Sequence, residues 1–254
     1  MPITNADIVA YASANMPEDL NASQIGGTID TTTKVVFTDI DVTGTVEMVS
    51  SAGGDTTQNV TVYYRDASGE VKSEAKQLNG TNTVSFTGSV ERIMKIVVDA
   101  AHTGIITVRK AGDAGDLATL ESGVLAVRRL FYNIAAAPAG GAERKFYEKI
   151  FFKNNHGSLT LVSAEIYEDT DPVSIAFALE SSLNGSDTNG VGNNRMVAPG
   201  GYTFNSTTKS VANSGNHTSG AAQGVWLEYT VPAGTAPGKD SYVIAESGYS
   251  VGGA

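Results

Sequence analysis

Asn59-Val60-Thr61-Val62-Tyr63-Tyr64-Arg65-Asp66-Ala67-Ser68-Gly69-Glu70-Val71 decides how this chain is read. Val60, Val62 and Tyr64 alternate with Thr61, Tyr63 and Arg65, which puts the first three on one face of an extended strand. A helix would scatter them around its axis. Asp66-Ala67-Ser68-Gly69 then interrupts the period with turn-forming residues before the chain resumes at Val71. The same two-residue period lies on both sides of this stretch: Val46 and Met48 flank Glu47, and Met94, Ile96 and Val98 alternate with Lys95 and Val97. Gly53-Gly54-Asp55 and Asn79-Gly80 punctuate these runs, and Asn-Gly suits a type I′ hairpin, whose central residues both need positive φ. Short strands with no helix between them predict an antiparallel sandwich or barrel over residues 28–111.

Ala111-Gly112-Asp113-Ala114-Gly115-Asp116 has no apolar period, so residues 112–123 read as a connector. Beyond it, Val124–Tyr132 predicts a strand carrying Arg128 and Arg129. Ile150 and Phe152 alternate with Phe151 and Lys153, Val173 to Leu179 alternate with Ser174 to Ala178, and Val225 to Val231 alternate around Trp226, Glu228 and Thr230. A second β-sandwich over 124–247 follows from these runs. The long polar segment between Leu183 and Gly224 reads as two loops divided by a short strand at Gly201-Tyr202-Thr203-Phe204. Residues 248–254 read as a loose tail. At the other end, Thr4 and Asp7 resemble a capping box ahead of Ile8, Tyr11 and Ala12 at helical spacing, with Pro17 as a stop. Residues 1–27, including the pair Gly26-Gly27, therefore read as a partly helical arm outside the two β-domains. The fold class expected is all-β: two antiparallel sandwiches, immunoglobulin-like or jelly-roll-like, plus this arm.

The chain has 254 residues, 41% hydrophobic and 17% charged, with 28 Gly, one Trp, no Cys and a formal net charge of −10. That apolar content supports a packed core. The absence of cysteine removes disulfides and thiol chemistry, and the acidic balance argues against a nucleic-acid partner. The longest apolar stretches, Val124–Val127 and Ile134–Ala139, are far short of the roughly 18 residues of a membrane helix, so no membrane partner is expected. The start, Met1-Pro2-Ile3-Thr4, lacks the basic and apolar regions of a secretory signal. Synthesis in a cytoplasm is the expectation, and the chance sequons at Asn59, Asn205 and Asn216 are expected to stay unmodified.

Chemistry-bearing patterns are sparse. His102, His156 and His217 each sit in a turn-like context without a second histidine at ligand spacing, and all three read as exposed turn residues. Asp39 and Asp41 read as sharing one strand face, and Asp113 and Asp116 bracket the connector. Glu168-Asp169-Thr170-Asp171 before Pro172 reads as a solvated turn, with an incidental Ca²⁺ as the alternative. There is no Gly-x-Ser-x-Gly elbow, no P-loop, and only the fragment Gly190-Val191-Gly192 of a dinucleotide fingerprint. Arg128-Arg129 and Arg144-Lys145 read as partners for carboxylates across a subunit contact. No catalytic, cofactor-binding or metal-ligating residue is assigned, and the chain is expected not to be an enzyme.

The stretch from Asn59 to Val71, with Leu78-Asn79-Gly80-Thr81 and Glu91-Arg92-Ile93-Met94-Lys95-Ile96, resembles immunoglobulin-like β-modules of tailed-bacteriophage virion structural proteins. Gly224–Thr235 and Asp240-Ser241-Tyr242 are similar in style to segments of such proteins. The resemblance implies a capsid decoration (cement) protein made in a bacterial host. It would be a homo-oligomer, with a trimer among the options, bound to major capsid protein or other virion proteins on the capsid exterior. A neck, tail or baseplate component is the alternative. The second alternative is a glycan or receptor-recognition protein that uses loops 184–194 and 213–218, with Trp226 as a stacking platform.

Overall fold

The computed structural model describes residues 2–35, 37–132, 141–170, 175–235 and 242–250. In chain order its strands are β1 (Ile8–Asn15), β2 (Gly26–Lys34), β3 (Val46–Ser50), β4 (Asn59–Arg65), β5 (Val71–Gln77), β6 (Val84–Ser85), β7 (Arg92–Val98) and β8 (Ile106–Lys110). They continue as β9 (Asp116–Leu120), β10 (Ala126–Arg128), β11 (Arg144–Asn154), β12 (Leu161–Thr170), β13 (Ile175–Leu183), β14 (Lys209–Ser210), β15 (Ala222–Val231) and β16 (Val243–Ser250). The architecture is predominantly antiparallel β of sandwich type, with almost no helix. Ala212–Gly215 is a turn, since Asn213 and Ser214 have φ of 59° and 57°. Among the described residues no helix is long and apolar enough to cross a membrane.

The chain divides into a continuous unit, Thr31–Leu130, and a discontinuous one, Met1–Asp30 with Phe131–Ala254. This division differs from the boundaries that composition suggested, because the first 30 residues belong with the C-terminal half.

In the continuous unit β10, β7, β4 and β5 lie side by side and antiparallel, and the end of β2 runs parallel to β10, with Thr33 opposite Ala126. A second sheet has the order β6-β3-β8-β9. One hydrophobic cluster joins the two: Val46 and Met48 of β3, Ile106 and Val108 of β8 and Leu120 of β9, with Val60, Val62 and Tyr64 of β4 and Ile96 and Val98 of β7. The alternation of the opening stretch is thus a buried face. Met94 falls out of phase because β7 bulges between the pairs Tyr63–Lys95 and Tyr64–Ile93, so Ile93 takes the inward position. The β4–β5 turn is closed by Asp66, whose Oδ1 accepts from Ser68 N (3.0 Å), Ser68 Oγ (2.6 Å) and Glu70 N (3.1 Å), with Gly69 at φ 82°. The expected connector contains β9, which pairs with β8 from Ile106–Leu120 to Arg109–Asp116. Its alternation, Leu117 and Ala118 both buried beside the bulge, is too irregular to have shown as a period.

In the discontinuous unit β13, β15, β11 and β1 form an antiparallel sheet with the start of β2 beside β1, and β14, β12 and β16 form another. The expected helix over the first residues is strand β1, paired with β11 from Ile8–Asn154 to Ala12–Ile150. The capping signal is real but local. Asp7 Oδ2 accepts from Thr4 N (2.7 Å) and Thr4 Oγ1 (2.8 Å), closing a turn that leads into a strand. Pairing with β11 then overrides the helical spacing of Ile8, Tyr11 and Ala12. Phe146 through Phe152 of β11 and Ala222 through Leu227 of β15 are buried on both faces, so Glu148, Lys149 and Gln223 lie in the interior beside the apolar residues.

Candidate functional site

The cysteine-free chain places its most heavily buried charges in the discontinuous unit. Pairing brings Lys149, Trp226 and Ala178 into one row and sets Phe151 opposite Gly224 in the next, and the Glu180 carboxylate lies against Gly224 where the β13 register shifts. Gly224 leaves a gap there, and Lys149 and Glu180 meet at 2.6 Å with both side chains essentially inaccessible. A Cβ at Gly224 or Gly185 would collide with the Glu180 carboxylate. Lys149 Nζ also donates to Gly27 O (2.7 Å) and Asp187 O (3.1 Å) and lies 4.6 Å from the Phe151 ring centroid. Burial pulls the amine below its ordinary value, with the Glu180 carboxylate opposing.

Residues 25–27 and 187–189 run past each other above this pair. Gly27 N donates to Asp187 O (2.8 Å), and Asn189 Oδ1 accepts from Ile25 N (2.9 Å). The glycine pair expected in a free arm is a packing requirement. A Cβ at Gly26 would stand 2.5 Å from Asp187 O and 2.6 Å from the Trp226 ring, and its φ is 95°. Asn189 Nδ2 holds the following loop by donating to Asn194 O (2.8 Å) and Val197 O (3.0 Å). Arg195, also buried, pairs with Glu148 of β11.

This scaffold flanks a cleft of about 440 Å³ with Ala178 and Leu179 of β13 on its wall. Its polar lining is Ser181, Asp187, Tyr202, Thr203, Lys209 and Ser210. Tyr202 donates to Asp187 Oδ2 at 2.5 Å, and its ring packs on Trp226 with centroids 5.8 Å apart. Burial, then the Asp187 bond, holds the Tyr202 hydroxyl well above its ordinary value. Lys209 Nζ is engaged by Asn205 Oδ1 (2.5 Å), Asn205 O (3.1 Å) and Thr207 O (2.9 Å), over the Phe177 ring. Its pKa is lowered by burial.

Other singled-out residues fall elsewhere. Trp226 is 0% exposed, so it cannot be a stacking platform. His217, also 0% exposed, bridges Glu246 Oε1 (2.6 Å) and Ala221 O (3.0 Å), and the 213–218 segment packs on the protein itself. His102 is buried between Gly104 O (2.7 Å) and Val124 O (2.8 Å). Neither is the exposed turn residue expected, because each ring is held at both nitrogens by protein oxygen atoms in the interior. His156 is the half-buried turn residue, its Nδ1 accepting from Leu159 N (3.0 Å). Arg129 pairs with Asp39 and stacks on Phe37 within the continuous unit; burial lowers its pKa to about 10. Arg128 is buried, and Lys145 pairs with Glu228 at 2.9 Å. Arg129 and Lys145 thus each have a carboxylate partner within the chain. Asp41 meets Lys110, and no strand spans Asp39 and Asp41. Asp113 caps its own turn at Ala114 N, 2.7 Å away. Glu168 and Asp169 end strand β12, so they are not a turn, while Asp171 and Pro172 lie outside the described residues, as do 134–139 and 251–254. Among the described residues no three His, Asp or Glu are grouped to hold a metal ion.

The buried ion pairs were missed because charged residues inside period-two runs look like solvent-facing positions. The signal that could have found them is a Lys or Glu flanked by aromatic residues within a run too apolar for a one-sided strand.

No family model and no curated protein matches the chain. The 2.6 Å structure of infectious bursal virus derived T=1 particles aligns with 98% of this chain and 66% of that one, at 11% identity and a TM-score of 0.17. The chain thus spans slightly less than two thirds of that protein, and the likeness is too low to argue from.

Proposed function

We propose that this chain is a non-enzymatic structural protein of a virion, and specifically a decoration protein on the outer capsid of a tailed bacteriophage. Its two units are read as immunoglobulin-like or jelly-roll-like modules that work as a homo-oligomer on major capsid protein. The observation that carries this reading is the contrast between two strand edges. Edge strand β5 carries Lys72, Glu74 and Lys76, charges that discourage pairing with another chain. Edge strand β16 carries one charged residue, Glu246, whose side chain is buried against His217, while Val243 (43%) and Tyr249 (73%) are exposed. An unguarded apolar edge is a template for a neighbouring strand.

The test is titration of the purified chain onto undecorated capsids. Saturable binding at symmetry-related sites, with a raised capsid melting temperature, supports the reading. Tyr249→Lys should abolish oligomers without lowering the melting temperature of the chain itself. Failure to bind capsids together with co-purification with tails would transfer the assignment to a neck, tail or baseplate component.

A further inference from the structure

We propose that the cleft beside Asp187 and Tyr202 is a binding site for a neutral saccharide, with Asp187 positioned by the buried Lys149–Glu180 pair. The Asp187 side chain is exposed, yet its backbone is fixed on three sides. Its N–H donates to Glu180 Oε1 (2.9 Å), and its carbonyl accepts from Lys149 Nζ (3.1 Å) and Gly27 N (2.8 Å). A buried ion pair loses solvation that a pair of apolar side chains would not, so it is a poor device for stability alone. Here it fixes the place of one solvent-facing carboxylate, in the way a preorganised site is supported from behind.

The second polar group is fixed as well. Tyr202 packs on buried Trp226 and donates to Asp187 Oδ2, while Oδ1 takes no hydrogen bond among the described residues. Ser181, Thr203 and Ser210 add hydroxyls, and beyond the backbone of Gly200 and Gly201 there is open space for an occupant. The volume of about 440 Å³ lies in the small-ligand range. The chemistry of the lining selects the class. The one cation, Lys209, already has three oxygen acceptors and an aromatic ring, so nothing in the cleft is left to neutralise a phosphate or carboxylate. A carboxylate with surrounding hydroxyls and an aromatic side chain matches a ligand rich in neutral O–H donors. This site is independent of capsid binding and is tested on the isolated chain.

The experiment is a screen on a printed array holding neutral and acidic glycans, followed by NMR titration of the ¹⁵N-labelled full chain with the neutral hits and with lactose, maltotriose and triacetylchitotriose. Saturable shifts confined to 178–181, 187, 200–203 and 209–210 are expected. Asp187→Asn should weaken binding about tenfold, and Ser181→Trp, at an exposed lining position, should block it, both with unchanged melting curves. Lys149→Met/Glu180→Leu should retain the fold and still weaken binding, which a purely structural pair would not do. No shift from any neutral glycan at millimolar concentration, binding of acidic glycans only, shifts elsewhere, or full affinity in Asp187→Asn would each overturn the proposal.

Discussion

Lys149 and Glu180 form a pair whose value depends on both members being present. Removing one leaves an uncompensated charge in a site closed by Trp226, Phe151 and Gly224. Lys149→Met is therefore expected to cost roughly 3–5 kcal/mol, and Lys149→Met/Glu180→Leu much less, by urea unfolding of the three proteins. Trp226→Ala belongs with the first. Cutting back a fully buried indole should cost roughly 3–5 kcal/mol. Asp55 sets a pH dependence. Hydrogen bonds from Ser50 Oγ, then Thr103 N and Gly104 N, hold its carboxyl far below the usual 3.8. A depressed folded value adds stability above the unfolded value and loses it as the pH falls toward the folded one. Acid unfolding of the wild type should steepen below pH 3.8, and Asp55→Asn should be less stable at neutral pH by about 1–3 kcal/mol with a flatter acid limb.

Strand β1 shows how an element can be misread from correct residue signals. The Thr4–Asp7 turn and the spacing of Ile8, Tyr11 and Ala12 both exist, but the hydrogen bonds of β1 go to β11. Residues 8–15 are thus part of a sheet. Deleting them would strip β11 of its partner from Ile150 to Asn154 and should lower the melting temperature of the discontinuous unit sharply, by calorimetry. An unchanged melt would return these residues to the role of an appended arm. By contrast β4 was legible, since its regular apolar alternation is one buried face. The alternation in β7 and β15 marked a strand even though β15 is buried on both faces and a bulge shifts β7. The bulge at Ile93 and the short β9 were not legible, because their phase is set by the neighbouring strand.

At the scale of the molecule, the continuous unit carries its own two sheets and hydrophobic cluster. A fragment of residues 31–130 is expected to fold alone, with dispersed amide NMR signals and cooperative thermal unfolding. A fragment of 131–254 is not, because β1, Ile25 and Gly27 complete its sheet and its buried ion pair. Adding a 1–30 peptide should restore a cooperative transition if that accounting is right.

Sequence by itself determined the class of structure. Period-two alternation around Val60 and Val225, turn residues at Asp66–Gly69 and the lack of long helical periods leave little but antiparallel β-sheet. It also showed the absence of cysteine, of a Gly-x-Ser-x-Gly elbow and of a P-loop. Only the tertiary structure decided that the first 30 residues join the last half, that Trp226, His102 and His217 are interior, and that Asp187 stands on a buried ion pair beside Tyr202. The reason is physical. Alternation reports which side chains share a strand face, whereas burial, ion pairing and cleft formation depend on contacts between strands and loops more than 30 residues apart. Such contacts are set by chain topology, which a local period does not encode.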